Sequence, residues 1–271
     1  MHSWIHFISG LPRSGSTLLA AILRQNPRFQ AGMTSPMGSI VTALLRQMSQ
    51  DNETAVFIND TQREAILRAV FEAYHTRTAP TEVVLDTNRL WCSKMQILAS
   101  LFPQAKVIAC VRHVPWILDS IERLIRRNKF EPSKIFNFEP SGTVYSRVEG
   151  LGTGTGMVGF AWNALREAFF GEESDRLMLL TYETLTSDPA RAIAAVYDFV
   201  GEPAFVHDFK NVEYDAEEFD RRLGTPGLHT VGRAVRATER TTILPPDLFR
   251  RVEADSFWKD PAVNLRGVRV V

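Results

Sequence analysis

The stretch "FISGLPRSGSTLL", residues 7–19, leaves an apolar run, passes through a turn of small residues and re-enters an apolar segment. Gly10 and Gly15 stand with four residues between them and Thr17 follows two positions later, nearly the spacing of a nucleotide-phosphate loop. Ser16, however, occupies the place where such a loop carries lysine. A strand that ends in a turn and opens a helix aims free backbone N–H groups and the positive helix end at one point, which suits an anion. Gly10 and Gly15 permit close backbone approach, Ser14, Ser16 and Thr17 add hydroxyl donors, and Arg13 supplies from inside the loop the cation that Ser16 lacks. Its planar fork matches a tetrahedral oxyanion. The turn reads as a cradle for a small phosphate load neutralised by arginine rather than metal. The plain alternative is a helix-capping turn, for which Ser or Thr before an apolar helix suffices.

Working outward, "WIHFIS" (4–9), "EVVLD" (82–86), "KVIACV" (106–111) and "RLMLLTY" (176–182) are short and apolar on both alternating faces, the pattern of buried parallel strands. Helical periodicity covers 17–24, 62–74, 93–102, 115–127, 159–170 and 189–200. The alternation predicts an α/β fold, a parallel sheet flanked by helices, as a single domain over 1–271. Residues 128–158 show turn residues, scattered aromatics and no sustained period. They are expected to form an excursion over the active face, with Phe130, Phe136, Phe138 and Tyr145 either lining a substrate pocket or packing onto the body. From about residue 203 the alternation gives way to an irregular tail with short helical pieces.

Thirty-one basic residues balance 31 acidic ones, so the overall field favours neither nucleic acid nor an anionic membrane, and any anion site is built locally. Cys92 and Cys110 lie in or beside apolar runs without metal-ligand spacing and read as reduced, structural thiols. With no leader-like amino terminus and no apolar run of bilayer length, the expected location is cytoplasmic.

A second constellation follows one of the strands. In "VRHVPWILDSIERL" (111–124), Arg112 stands at a strand's carboxyl end and Ser120 eight residues on, in the helix begun near Pro115. Ligands of open α/β sheets bind at that edge. Arg112 and Ser120 suit a second phosphate, although an arginine there also serves as a salt-bridge partner.

Taken together, "PRSGSTLL" (12–19) and, about 90 residues later, "VRHVPWILDS" (111–120) resemble the 5′-phosphosulfate loop and the 3′-phosphate motif of sulfotransferases that use 3′-phosphoadenosine-5′-phosphosulfate (PAPS). "LLTYETLTSDP" (179–189) is similar to a later strand-turn segment of that family, so the likeness spans about 1–200. It implies a P-loop nucleotide-hydrolase-like sulfotransferase fold and metal-free sulfuryl transfer from PAPS to an acceptor; a hydroxyl of a small molecule or carbohydrate is the expected one, with a peptide left equally open by the sequence. It also implies a donor site made by Pro12, Arg13, Ser14, Gly15, Ser16 and Thr17 at the phosphosulfate, Arg112 and Ser120 at the 3′-phosphate, and Tyr182.

The opening loop is nearest to that of the protein-tyrosine sulfotransferase branch, in which a catalytic glutamate follows the first helix and a lysine the second strand. The corresponding stretches here, "AGMTSPM" (31–37) and "VVLDTNRLW" (83–91), have neither; Thr34 and Thr87 fall near those positions, which argues against a tyrosine-peptide acceptor. Arg13 and Arg89 are then the candidate catalytic cations and His229, in "GTPGLHTVGRAVR" (224–236), the candidate general base, because histidine titrates near neutrality. Asp86 is a second candidate base or a loop-orienting residue, His207 reads as a packing residue, and His113 adjoins a presumed ligand. Arg233, Arg236 and Arg240 form a basic cluster that either closes the 3′-phosphate site or is solvated. The acceptor pocket is expected from 34–50 and 128–158, with Met33, Met37, Phe130, Phe136 and Tyr145. "GTGMVG" (154–159) spells a dinucleotide fingerprint but follows no strand. The residues also leave open a P-loop kinase or NTPase with a degenerate loop, needing Mg²⁺ and a lysine from elsewhere, and a non-catalytic nucleotide-binding protein.

Overall fold

The computed structural model describes residues 3–130, 133, 142–253 and 256–271. Its centre is a parallel sheet of six strands in the order β2-β3-β1-β4-β5-β6. The strands are β1 (Ile5–Gly10), β2 (Phe29–Ala31), β3 (Val83–Thr87), β4 (Val107–Val111), β5 (Leu177–Thr181) and β6 (Arg269–Val270).

Residue parity explains why these strands carry no polar face. Ile5 and Phe7 of β1, Val84 of β3, Val107, Ala109 and Val111 of β4 and Leu177 and Leu179 of β5 enter one core. Their neighbours Ile8, Val83, Leu85, Ile108, Cys110, Met178 and Leu180 enter another. Each of these four strands is thus covered on both sides, whereas the edge strand β6 is exposed. Helices α1 (Ser16–Leu23) and α9 (Pro189–Val200) cover the second face. The first is covered by α2 (Met37–Gln47), α3 (Asp60–Tyr74), α4 (Met95–Leu101), α5 (Val114–Arg127), α6 (Val144–Gly152) and α7 (Met157–Phe170). Short helices α8 (Tyr182–Ser187), α10 (Glu217–Arg222) and α11 (Pro246–Arg251) complete the set used below. Among the described residues, no helix is long and apolar enough to cross a membrane.

Helix ends follow local chemistry. Asn59 and Gln62 form a reciprocal capping box at the start of α3, while Asp188 caps α9, whose first residue is Pro189 and whose exit is Gly201 in the left-handed conformation. Residues 128–158 depart from the expected structureless excursion. Thr143 and Ser146 make a capping box that starts α6, and Val148 and Leu151 are buried in the first core. Gly150 and Gly152 had hidden that helical spacing. The fingerprint-like glycines serve the α6–α7 corner: a Cβ on Gly159 would stand 2.0 Å from the Thr153 carbonyl oxygen.

The connection after β1 runs to one side of the sheet, through β2, whereas β4 lies on β1's other flank. The chain's direction therefore switches around β1, and a crevice opens at the carboxyl ends of β1, β3 and β4.

Candidate functional site

Gly10 ends β1 with φ +104°, and a Cβ there would stand 2.2 Å from the carbonyl oxygen of Cys110 in β4, so only glycine lets the two strands close here. Gly15, with φ +96°, is the N-cap of α1 and offers no side chain to the helix end. The first intrahelical bond runs from Leu19 N–H to Gly15 C=O at 2.8 Å, which leaves the preceding N–H groups of Ser16 and Thr17 without an intrahelical partner. No side chain caps α1, which speaks against a mere capping turn, and Gly15, Ser16 and Thr17 line the cavity. Ser14 corrects one expectation. Its hydroxyl is fully buried and donates to the Pro12 carbonyl at 3.3 Å, away from the crevice, so it adds no hydroxyl donor to the cradle.

Between the two glycines, Arg13 is the one non-glycine residue among those described with positive φ, +58°. Such a conformation is costly and marks a residue whose direction matters. It sends the guanidinium across the crevice, where Nε donates to Ser120 Oγ at 3.2 Å and Nη1 to the Leu228 carbonyl. Burial and the neighbouring charge of Arg112 lower its pKa to about 10, so it remains a cation at neutral pH. Arg112 in turn donates through Nη1 to the Arg13 carbonyl at 3.4 Å and lies 4.1 Å above the Tyr182 ring. The turn and the β4–α5 crossing thus meet in one place.

They open into one cavity of about 640 Å³ that also reaches Thr34, Thr87, Met157 and the late segment 228–240. Among the described residues five arginines line it, Arg13, Arg89, Arg112, Arg236 and Arg240, and no aspartate or glutamate does. Two buried polar atoms in its wall, Thr87 Oγ1 and Arg240 Nη2, have no hydrogen-bond partner. The Arg89 guanidinium makes no hydrogen bond or ion pair among the described residues, and desolvation holds its pKa below the ordinary value. A chain with zero net charge has concentrated five guanidiniums at one point, of which only Arg240 has a carboxylate partner, Asp119 at 3.6 Å, among the described residues; this is the arrangement expected of a polyanion site.

A matching family model, described as the sulfotransferase family, covers residues 6–208. The chain belongs to the sulfotransferase family. Among solved structures, the sulfotransferase domain from the curacin biosynthetic pathway is similar at 20% identity over 76% of each chain, with a TM-score of 0.51. The sulfotransferase domain of the Synechococcus PCC 7002 olefin synthase is 19% identical over 92% of this chain and 93% of its own, with a TM-score of 0.48. A sulfotransferase from Alicyclobacillus acidocaldarius is 15% identical over 82% and 90%, also at 0.48. The parallel sheet flanked by helices is accordingly the P-loop-like sulfotransferase fold.

In this family member the other candidates fall into two groups. Pro12, Gly15, Ser16, Thr17, Arg112, Ser120, Tyr182, Arg89 and His229 line the cavity with Arg13. Of the basic cluster, Arg236 and Arg240 line it, while Arg233 donates to Asn211 Oδ1 at 2.8 Å. Outside it, Asp86 is buried and committed to Ser35 Oγ at 2.8 Å, Trp91 Nε1 at 2.7 Å and His75 Nε2 at 2.8 Å, so it orients loops and is not available as a base. His207 packs beside Tyr197, whose hydroxyl is 2.9 Å from its Nε2.

The acceptor side differs most from expectation. Met37 is in the core, Phe130 is 87% exposed, and Tyr145 donates its hydroxyl to Asp247 at 3.2 Å; none lines the cavity. Phe136 and Phe138 lie outside the described residues. Met33 and Met157 contribute from the expected stretches and their flank, Leu11 and Leu18 from the first turn and α1, and Phe219, Leu223, Leu228, Val231 and Val235 from the tail. Nothing in that irregular sequence marked them.

His229 is held more firmly than its glycine-rich sequence suggests. Its backbone N–H donates to Asp220 Oδ2 at 2.8 Å and its ring Nδ1 stands 2.5 Å from Oδ1 of the same carboxylate. Burial lowers its pKa below the ordinary histidine value; Asp220 opposes that shift, while Arg13 and Arg89 add to it. Asp220 was not singled out by sequence.

Proposed function

We propose that this chain moves a sulfuryl group from PAPS to the hydroxyl of a small or carbohydrate-like acceptor. One observation carries the reading: the two anion points, the first turn and the Arg112–Ser120 pair, open into one cavity and are joined by the Arg13–Ser120 hydrogen bond. A nucleotide esterified at both ends of one ribose suits such a pair, whereas a single phosphate chain does not need the second point. The fit is supported by the five arginines gathered along the cavity among the described residues and by the orphaned Arg240 Nη2.

When bound, PAPS supplies a sulfuryl group activated by a phosphosulfate anhydride. The chain's own residues do the rest. Ser16 and Thr17, with the free N–H groups of α1, hold the phosphosulfate end, and Arg112, Ser120 and Arg240 hold the 3′-phosphate. Arg13, Arg89 and the Thr87 hydroxyl offer donors to oxygens on which charge accumulates, the role in which fixed donors contribute most. His229, neutral at pH 7 by the direction of its shift, takes the acceptor's proton. Met33, Met157, Phe219 and Leu223 form an apolar wall for the acceptor's body.

Isothermal titration of the purified chain decides the donor. Adenosine 3′,5′-bisphosphate should bind tightly without metal and ATP with Mg²⁺ weakly, and consumption of PAPS should be measurable. Preference for Mg-ATP would overturn the reading in favour of a kinase, and tight bisphosphate binding without PAPS consumption would leave a non-catalytic nucleotide-binding protein.

A further inference from the structure

The tail contains a buried carboxylate whose commitment is unusual. Asp220 is 2% exposed, and its two oxygens are given to one residue: Oδ2 accepts the His229 backbone N–H and Oδ1 faces the His229 ring nitrogen. Among the described residues no lysine or arginine pairs with it. Its own backbone is fixed on both sides, by Asp220 N–H to Ala216 C=O and by Thr225 N–H to Asp220 C=O, each 2.9 Å. A carboxylate that served only to hold the loop would need one of these contacts to His229, not both.

We propose that Asp220 is a positioning residue for proton transfer, clamping His229 at its backbone and at Nδ1 so that Nε2 is left as the bare acceptor on the cavity side. This rests on the sulfuryl-transfer reading with His229 as base. An ionised carboxylate accepts hydrogen bonds and donates none, so the short contact requires the imidazole proton on Nδ1. Once that proton is placed, the remaining lone pair is on Nε2. The adjoining peptide is pinned from the other side, because Arg13 Nη1 donates to the Leu228 carbonyl, and the Phe219 ring flanks the imidazole at 5.6 Å. The charged groups that face His229 are Asp220 from α10, Arg13 from the first turn and Arg89 after β3. The two guanidiniums favour the neutral ring at rest, and Asp220 stabilises the imidazolium once it forms. In the step itself the acceptor O–H bond breaks and its proton passes to Nε2, the acceptor oxygen bonds to sulfur, and the sulfur–oxygen bond to the 5′-phosphate breaks with its electron pair leaving on the phosphate.

Long-range ¹H–¹⁵N spectra of the full chain labelled at histidine nitrogens test this without knowledge of the natural acceptor. In the wild type at pH 7, His229 should be neutral with its proton on Nδ1; a proton on Nε2 would overturn the proposal, and this needs no variant to fold. In Asp220→Asn, the amide nitrogen can donate to the ring, so the proton should shift toward Nε2 and the ring pKa should fall further. PAPS consumption with 2-phenylethanol, an alcohol that keeps its hydroxyl proton at pH 7, as probe acceptor should then drop about 10²-fold or more, the usual worth of a placed general base, with adenosine 3′,5′-bisphosphate affinity unchanged. An unchanged tautomer in Asp220→Asn would also overturn it. His229→Ala separates the two layers: wild-type turnover in that variant removes His229 as base, whereas an inactive His229→Ala beside a fully active Asp220→Asn removes only Asp220.

Discussion

Arg13 reaches from the first turn to two partners that come from distant parts of the chain, Ser120 in α5 and the Leu228 carbonyl. A lysine cannot make both contacts in that fork geometry, which is the physical difference between this turn and a lysine-bearing phosphate loop. Arg13→Ala should lower turnover of PAPS by about 10²–10³-fold, the scale on which a single fixed donor to developing charge acts, as read from initial rates at saturating donor. The effect belongs to the transferring group, so affinity for adenosine 3′,5′-bisphosphate should change less than turnover. His229 yields a pH prediction. Its folded pKa is depressed, so the unprotonated form persists through neutrality, and turnover should fall only as pH drops below the ordinary histidine value of about 6.5. An initial-rate profile from pH 5 to 8 checks the sign: a decline beginning above 7 would mean a raised pKa. At this scale Arg13 and His229 were legible because their chemistry stands out within a glycine-bounded turn. Asp220 was not, because an aspartate nine residues before a histidine in an irregular tail has no spacing rule; only the fold of 220–229 brings it to the ring.

Helix α5 joins the donor site to the tail through adjacent residues. Ser120 faces the cavity, while Asp119, fully buried, accepts from Thr242 Oγ1 at 3.0 Å, from the Ile243 N–H at 2.8 Å and from Arg123 Nε at 2.8 Å, with Arg240 at 3.6 Å. Burial by itself works against ionisation of Asp119, but these donors outweigh it and hold its carboxyl below the usual range. A depressed carboxyl contributes stability above its unfolded value of about 3.8 and loses it as pH falls through the folded value, so the tether survives at neutral and mildly acid pH. Asp119→Ala leaves those donors unpaired and should cost about 2 kcal/mol, seen as a lower thermal midpoint. It should also weaken adenosine 3′,5′-bisphosphate binding, because Arg240 loses its support; unchanged affinity would show that Arg240 does not reach the 3′-phosphate. The long elements were readable because a run apolar on both faces or a sustained helical period leaves a clear mark. β2 and β6, three and two residues long, carry too little pattern, and they form because β3 and β5 offer them edges. The place of Phe219, Leu223 and Leu228 in the cavity wall was hidden for a similar reason, since that wall is assembled by tertiary contacts rather than by periodicity.

Across the whole molecule, 31 positive and 31 negative side chains cancel, yet among the described residues five arginines line one cavity with no carboxylate beside them in its lining. The attraction for a polyanion is therefore short-ranged and local. Raising ionic strength from low to high should weaken adenosine 3′,5′-bisphosphate binding by roughly an order of magnitude, less than for a strongly basic protein, because enclosed charges are screened incompletely. Titrations at two salt concentrations read this directly. The family model ends at residue 208, whereas Leu228, His229, Arg236 and Arg240 all lie past that point. Kinship accordingly vouches for one bank of the crevice and is silent on the other. A chain cut after 208 would keep the first turn and Arg112 but lose the opposite bank, and exchanging that last quarter between relatives is the natural way to graft a new acceptor preference onto an unchanged donor cradle.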